Sequence, residues 1–164
     1  SKGFHLLKQA WDQLKTNAMH KLHIITNPSG DENDYFKLHK AWAKEHTTVV
    51  WNEALSQQEV ALYLNNMDVL VLPSISNEVA PLVILEAATR HIPVIASNYI
   101  AMIDMVDHES NGLLFENGNM QDLYKQMLNI INKPKLLDDL KRNVQPPLSM
   151  FAVAELIEDK ISKL

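Results

Sequence analysis

The sequence contains no cysteine among its 164 residues. This absence excludes disulfide bonds, thiolate catalysis and zinc sites built on cysteine ligands. Glycine and proline are scarce, with 4 and 7 residues, and charged residues make up only 21% of the chain. The composition therefore has neither the bias of a fibrous protein nor the charge excess of a disordered one. Because 46% of the residues are apolar, we expect one globular domain over residues 1–164.

Long apolar runs and an excess of positive charge are also absent. No stretch approaches the roughly 20 residues of a membrane-spanning helix, and the N-terminus lacks the pattern of a signal peptide. We expect no transmembrane segment in this chain and a cytoplasmic location, with any peripheral membrane contact made through another domain. The net charge of -5 also argues against a nucleic-acid partner, because such proteins concentrate lysine and arginine.

Short apolar runs alternate with stretches of helical periodicity. This alternation is typical of a Rossmann-like, doubly wound parallel sheet in the α/β class. It predicts five buried strands, at residues 22–26, 48–52, 69–72, 93–97 and 112–115. It predicts helices at residues 4–15, 34–45, 57–66, 82–90 and 122–131, further helical segments from Lys135, and a C-terminal helix over 148–164. Ser56 with Glu59 predicts a capping box, and Asn117 or Asn119 can cap the 122–131 helix.

The chain opens with Ser1, Lys2 and Gly3 directly before the first predicted helix. A βα domain normally has a strand at that point. In doubly wound sheets this strand is often central, and without it backbone groups of its neighbours stay unpaired. We therefore expect that the first strand is missing from the chain and that the sequence is an excerpt.

Two glutamates stand out between the third and fourth predicted strands. Glu78 lies beyond the carboxyl end of a strand, where open α/β sheets bind ligands beside helix N-termini. Glu86 lies two helical turns later and, on a helix that begins near Pro81, points back toward the same mouth. Carboxylates can accept hydrogen bonds from paired sugar or ribose hydroxyls, whereas phosphates require cations and N–H donors. Spacing alone equally allows a solvated loop carboxylate at Glu78 and an exposed helix residue at Glu86.

Several motifs in a fixed order carry a resemblance to a known family. They are residues 69–74, the stretch from Glu78 to Glu86 with its E-x7-E spacing, residues 93–98, residues 2–7 and residues 111–115. Together they resemble the C-terminal half of the family 4 retaining glycosyltransferases, and the likeness spans nearly the whole chain. The resemblance implies the donor-binding half of a GT-B fold, with an N-terminal acceptor domain that this chain lacks.

The resemblance also implies an activity and a set of site residues. The whole enzyme is expected to transfer a sugar from a nucleotide-diphosphate sugar in cell-surface polysaccharide or glycolipid synthesis, while this part alone stays inactive. Glu78 is implied to be the catalytic-site residue on the transferred sugar, and Glu86 to hold the ribose hydroxyls. No cofactor and no metal ligand are implied, and the reaction is expected to be independent of metal. The remaining implied donor-binding residues are Lys2 at the diphosphate, Ala54 and Leu55 at the base, and Ala80, Pro81 and Leu82 at the sugar or phosphate.

Four places depart from the family pattern. The family usually has glycine at the position of Pro81 and near Glu53, a glycine pair near Ile100 and Ala101, and glutamate near Asp104. Pro81 removes one N–H donor from the ligand-facing turn. Ile100 and Ala101 lack the conformational freedom of glycine, so we expect that loop to approach the phosphates differently.

Histidine and tryptophan provide weaker candidates. His20 and His23 are expected on opposite faces of a strand, which makes a poor metal pair. His39 and His46 are expected to be exposed and without a role. The tryptophans of the predicted helices, Trp11 and Trp42, are expected in the core, which leaves Trp51 as a candidate to stack on a base.

Two alternative functions remain open at this stage. One is a non-catalytic α/β binding module, although a receiver-like module would need an acidic cluster near the chain start and a phosphorylatable aspartate at a strand end. The other is a GT-B sugar-nucleotide epimerase or phosphorylase, although a phosphorylase would need a cofactor-lysine signature that the sequence lacks.

Overall fold

The computed structural model describes residues 2–15, 19–26, 34–53, 55–76 and 81–148. Within these ranges the chain alternates helices and strands. The strands are β1 (Leu22–Thr26), β2 (Val49–Glu53), β3 (Leu70–Leu72), β4 (Val94–Ser97) and β5 (Gly112–Phe115). The helices are α1 (Phe4–Leu14), α2 (Asp34–Glu45), α3 (Gln57–Leu64), α4 (Leu82–Ala88), α5 (Ile100–Ile103), α6 (Met120–Asn132) and α7 (Pro134–Asn143).

All strand pairing is parallel. β1 pairs with β2, with Ile24 opposite Trp51, and a second group has the order β3-β4-β5, with Ile95 opposite Val71 and Leu113. The α/β class and the parallel sheet are confirmed, and all five predicted strands exist within a residue of their predicted bounds. Parallel strands end at one edge of a sheet, and this edge holds the candidate site.

Apolar side chains cover both faces of the strands. One cluster packs α1, α2, α6 and α7 against β1, β2, β4 and β5, so it spans both strand groups. The second cluster lies on the other face, under α3, α4 and α5. Alternation along β4 explains this division, because Ile95 joins the first cluster while Val94 and Ala96 join the second. The first cluster also packs α1 along α6.

Helix boundaries follow local capping signals. Ser56 and Glu59 form the predicted capping box at the start of α3. Asn119 accepts a hydrogen bond from the Asp122 backbone, so α6 begins at Met120, two residues before its predicted start. The expected loop at Ile100 and Ala101 is wrong, because both residues form the first turn of the short helix α5. α5 carries no sequence signal because it has only four residues and its cap position is Tyr99, a residue type that does not favour caps.

Two expectations about the chain's organisation stay predictions. No strand ladder joins the β1-β2 pair to the β3-β4-β5 group within the described ranges, and the expected missing first strand is not tested by this arrangement. The C-terminal helix expected at 148–164 lies outside the described residues except for Leu148. In the part of the chain that the structure describes, no helix has the length and apolar character to cross a bilayer.

Candidate functional site

The first turn of α1 lies against the carboxyl end of β3. Gly3 caps this helix with φ of 66°, and a Cβ built on Gly3 would lie 1.7 Å from the carbonyl oxygen of Pro73. Pro73 directly follows β3. Both the positive φ and the close approach require glycine. The positive end of the α1 dipole, with the exposed Lys2 beside it, therefore lies at the edge where the strands end.

A buried hydrogen bond joins the ends of β3 and β4. Ser97 Oγ donates to the carbonyl oxygen of Ser74 over 2.7 Å, and the two residues are 0% and 2% exposed. A buried hydroxyl and a buried carbonyl are costly without such a partner. The bond therefore fixes the start of the loop that follows β3.

Glu86 lies close to the start of α3. Gln57 Nε2 donates to Glu86 Oε1 over 3.4 Å, a long hydrogen bond. Gln57 is the first residue of α3 and follows Ser56 and Leu55. Glu86 lies in the second turn of α4, as predicted. The structure thus brings Leu55 and Glu86, two predicted donor-binding residues, to neighbouring helix starts.

Pro81 and Leu82 form the start of α4. The predicted start of this helix at Leu82 is confirmed. Pro81 is buried and is the cap residue, with ψ of 88°, while Leu82 begins the helix. The Pro81 carbonyl accepts a hydrogen bond from the Ile84 backbone over 2.9 Å. Leu82 is 65% exposed, so its side chain is open to a partner or ligand.

Three predicted site residues lie outside the described part of the chain. They are Glu78, Ala54 and Ala80. Their implied roles on the sugar, the base and the sugar or phosphate stay predictions.

A charged pair borders the carboxyl end of β2. Lys40 Nζ lies 2.7 Å from Glu53 Oε1, and Trp51 Nε1 donates to the same oxygen over 3.2 Å. The hydrogen bond from Lys40 is the main reason why the pKa of Glu53 lies below its usual value. The Trp51 ring makes edge contacts with Phe4 and Phe36. Its stacking on a base stays a prediction.

His39 is buried, and the expectation that it is exposed is wrong. It is only 5% exposed. The cause is helical spacing, because α2 buries Trp42 and Ala43 three and four residues further along. The same spacing could have revealed this burial from the sequence. The His46 side chain keeps 33% of its exposure, with Nε2 3.2 Å from Asp12 Oδ1.

The other histidine pair gives no metal site. His20 precedes β1, while His23 lies in it with Nδ1 2.6 Å from the hydroxyl of Tyr63. Across the described ranges, no group of three or more histidine, aspartate or glutamate side chains could hold a metal ion. The expectation of metal independence is not tested by this geometry.

One cavity lies away from the strand ends considered so far. It has a volume of about 270 Å³ and borders Thr48, just before the start of β2. Its other lining residues are Trp11, Asp12, Lys15, Trp42 and His46. Because it adjoins the amino end of β2, it is separate from the candidate site.

Comparison with known proteins identifies the family. The sequence model described as "Glycosyl transferases group 1" matches residues 1–145. An uncharacterized glycosyltransferase of Haemophilus influenzae is 29% identical in an alignment 161 residues long, which covers 96% of this chain and 44% of that protein. The capsular polysaccharide biosynthesis glycosyltransferase CapM of Staphylococcus aureus is 29% identical in an alignment 168 residues long, gaps included, which covers 99% of this chain and 42% of CapM. The chain spans less than half the length of these two relatives.

Solved structures show the same fold. Anabaena Alr3699/HepE in complex with UDP and glucose superposes with a TM-score of 0.82 at 20% identity, over 99% of this chain and 45% of that one. The C-terminal domain of the group 1 glycosyl transferase LpcC from Francisella tularensis gives a TM-score of 0.76 at 20% identity, over 87% and 75% of the two chains. The fold is the Rossmann-like C-terminal domain of GT-B proteins, as the sequence resemblance implied. With a family match that covers most of its length, the chain belongs to the group 1 glycosyltransferases.

Proposed function

We propose that this chain is the donor-binding domain of a retaining glycosyltransferase that uses a nucleotide-diphosphate sugar. The observation that carries the proposal is the arrangement at the carboxyl edge of the strands. There, the glycine turn of α1 contacts the end of β3, and Glu86 contacts the start of α3. The complex of Alr3699/HepE with UDP and glucose supports a nucleotide sugar as the ligand class.

The first turn of α1 suits the diphosphate. Backbone N–H groups at a helix N-terminus and the helix dipole both favour an anion. Lys2 adds a positive charge one residue before Gly3. These groups would stabilise the charge that grows on the departing nucleoside diphosphate, and this stabilisation is the chemical contribution we assign to the chain.

Glu86 suits the ribose. Its carboxylate can accept hydrogen bonds from two neighbouring hydroxyls, and a bound ribose would replace the long bond from Gln57. Leu55, two residues before Gln57, then lies on the side of the base. Glu78 and the backbone of Ala80 and Leu82 are left for the transferred sugar, which completes the site proposed from the sequence.

We assign acceptor binding to a second domain outside this sequence. The chain covers 42% of CapM, whose name supports polysaccharide synthesis as the process. A donor domain without its acceptor domain is not expected to catalyse transfer. We also propose that the reaction is independent of metal and takes place in the cytoplasm, at the membrane if the second domain binds there.

Titration calorimetry of the full-length polypeptide with UDP, GDP and ADP tests the proposal. Glu86→Ala removes the ribose carboxylate, so we expect binding to weaken by about 1–3 kcal/mol. Glu45→Gln serves as the matched control, because it removes an exposed carboxylate at the end of α2. Titrations in EDTA and in magnesium should give equal affinities if binding is independent of metal.

Each outcome separates a part of the proposal. A folded wild-type protein that binds none of the nucleotides contradicts the donor role. Equal losses in Glu86→Ala and Glu45→Gln would mean that net charge, and not the ribose contact, sets the affinity. Binding that appears only with magnesium would contradict metal independence while leaving the donor role in place.

A further inference from the structure

His39 is a buried histidine with no hydrogen-bond partner within the described residues. It is 5% exposed, and both Nδ1 and Nε2 lack a partner there. Buried polar groups in native proteins are nearly always paired, so an unpaired imidazole calls for a functional explanation. The nucleotide-binding role proposed above makes no use of it.

The imidazole of His39 packs against the first residue of α1. The rings of His39 and Phe4 are 4.6 Å apart between centroids with an interplanar angle of 79°, which is the favourable edge-to-face geometry. The rings of Tyr35 and His39 are 4.2 Å apart between centroids. Phe4 also makes edge contacts with Trp42 and Trp51. The orientation of Phe4 is therefore set by its contacts with His39, Trp42 and Trp51.

Phe4 directly follows the turn that contacts β3. Gly3 is in backbone contact with Pro73, and Lys2 comes before Gly3. Because Gly3 and Phe4 are consecutive residues, a movement of the Phe4 backbone would shift this turn. The position of His39 is thus transmitted to the proposed phosphate site through one side chain.

The surroundings of His39 oppose a positive charge. Burial is the largest cause of its lowered pKa, followed by the positive charges of Lys8 and His5. Lys8 and His5 face it from α1, and Tyr35 faces it from its own helix. No carboxylate among the described residues has a hydrogen bond or ion pair with it. Protonation would therefore put an uncompensated charge between α1 and α2.

We infer that His39 is a positioning residue whose neutral imidazole holds Phe4, and through it the Lys2-Gly3 turn, in place for the donor phosphates, and that acidification releases this turn. The inference rests on the proposed donor-binding function. It assigns no contact between His39 and the ligand.

The test compares nucleotide affinity at pH 7.5 and pH 5.5 in the full-length polypeptide. The variants are His39→Leu, His39→Gln and the control His46→Gln, which removes another histidine that follows α2 directly. The titration of the nucleotide's own phosphate is common to all four proteins, so only differences between them count. Between pH 7.5 and pH 5.5, we expect the affinity of wild type and of His46→Gln to fall about fivefold or more further than the affinity of either His39 variant. This is a typical size for coupling between sites. The same loss of affinity in the His39 variants as in wild type would overturn the inference.

Hydrogen exchange supplies a readout that needs no nucleotide. The amides of the first turn of α1 are compared with those of α6 at the two pH values, after correction for intrinsic rates. At pH 5.5 we expect the α1 amides of wild type to lose protection and those of the two His39 variants to keep it. If no nucleotide binds at pH 7.5, the donor proposal fails, and this exchange result still decides whether His39 holds the turn. Two His39 variants are used so that a folding failure of one leaves the other to report.

Discussion

Two glycines with positive φ give a residue-level test of the contact between α1 and β3. Gly3 has φ of 66° and no room for a Cβ, whereas Gly118 has φ of 77° and open space within 4 Å of where a Cβ would lie. Gly118→Ala should therefore cost only the backbone strain, about 1–2 kcal/mol. Gly3→Ala adds a clash with the Pro73 backbone, so we expect a larger loss in the free energy of unfolding and weaker nucleotide binding. Urea denaturation and calorimetry measure both quantities.

The same two variants, Gly3→Ala and Gly118→Ala, can also contradict this expectation. If the two alanine variants lost the same free energy of unfolding and both kept full nucleotide affinity, the close approach of Gly3 to Pro73 would have no consequence for the site. The proposed phosphate turn would then have to lie elsewhere.

Individual residues show how far the sequence could lead at this scale. The burial of Trp11 and Trp42 is confirmed, because apolar helix faces are visible as a periodic pattern. The sequence does not predict the burial of His39, because histidine is a polar residue and is usually exposed. Its spacing of three and four residues from Trp42 and Ala43 nevertheless places it on the buried face of α2. The Ser97 bond to the Ser74 carbonyl could not be predicted, since it depends on how two strands that are distant in sequence end in space.

At the scale of elements, the capping box of α3 links helix stability to the proposed ribose site. Ser56 accepts from the Glu59 backbone, and Glu59 accepts in return from the Ser56 backbone. Ser56→Ala should cost about 1 kcal/mol of stability. Because Gln57 and Leu55 flank this cap, we also expect weaker nucleotide binding, measured by calorimetry.

Asn119→Ala is the matched control for this cap. Asn119 caps α6 through a hydrogen bond to the Asp122 backbone, so the loss of stability should be similar. α6 follows β5, which β4 separates from β3, so nucleotide affinity should fall less than in Ser56→Ala. A Ser56→Ala protein that is destabilised but binds nucleotide normally would show that the start of α3 does not shape the site.

The strands and most helices were predictable because their signals are local. Runs of valine, isoleucine and leucine mark the strands, and Ser56 and Asn119 mark two helix starts. The four-residue helix α5 carries no such signal. The pairing order β3-β4-β5 and the packing of α1 on α6 depend on contacts between distant segments, which no local pattern specifies.

At the scale of the whole molecule, two histidines predict how stability depends on pH. The pKa of His23 is lowered by burial and by Lys21, and that of His39 by burial, Lys8 and His5. The unfolded chain therefore binds more protons than the folded one just below the usual histidine value of 6.5. The free energy of unfolding should be full above that pH and fall as the pH is lowered through it. Urea denaturation at pH 7.5 and 5.5 measures the change.

The carboxylates do not interfere in this range. Glu53 and Glu59 also have lowered pKa values, but their stabilisation is lost only when the pH falls below their usual value of 4.5. A protein that carries both His23→Gln and His39→Leu should show a flatter dependence between pH 7.5 and 5.5. An unchanged slope in this double variant would mean that other groups control the acid response.

The packing of α1 on α6 has a consequence for the order in which the molecule can be completed. Within this domain α1 is synthesised before all five strands and before α6, yet Leu6, Leu7 and Ala10 of α1 share one apolar cluster with Leu123 and Met127 of α6. Until Leu123 and Met127 are synthesised, α1 lacks their part of this cluster. The Lys2-Gly3 turn is thus made before the strands and gains its full support only after α6, so that the proposed competence to hold a ligand belongs to the completed domain and not to its first βα units.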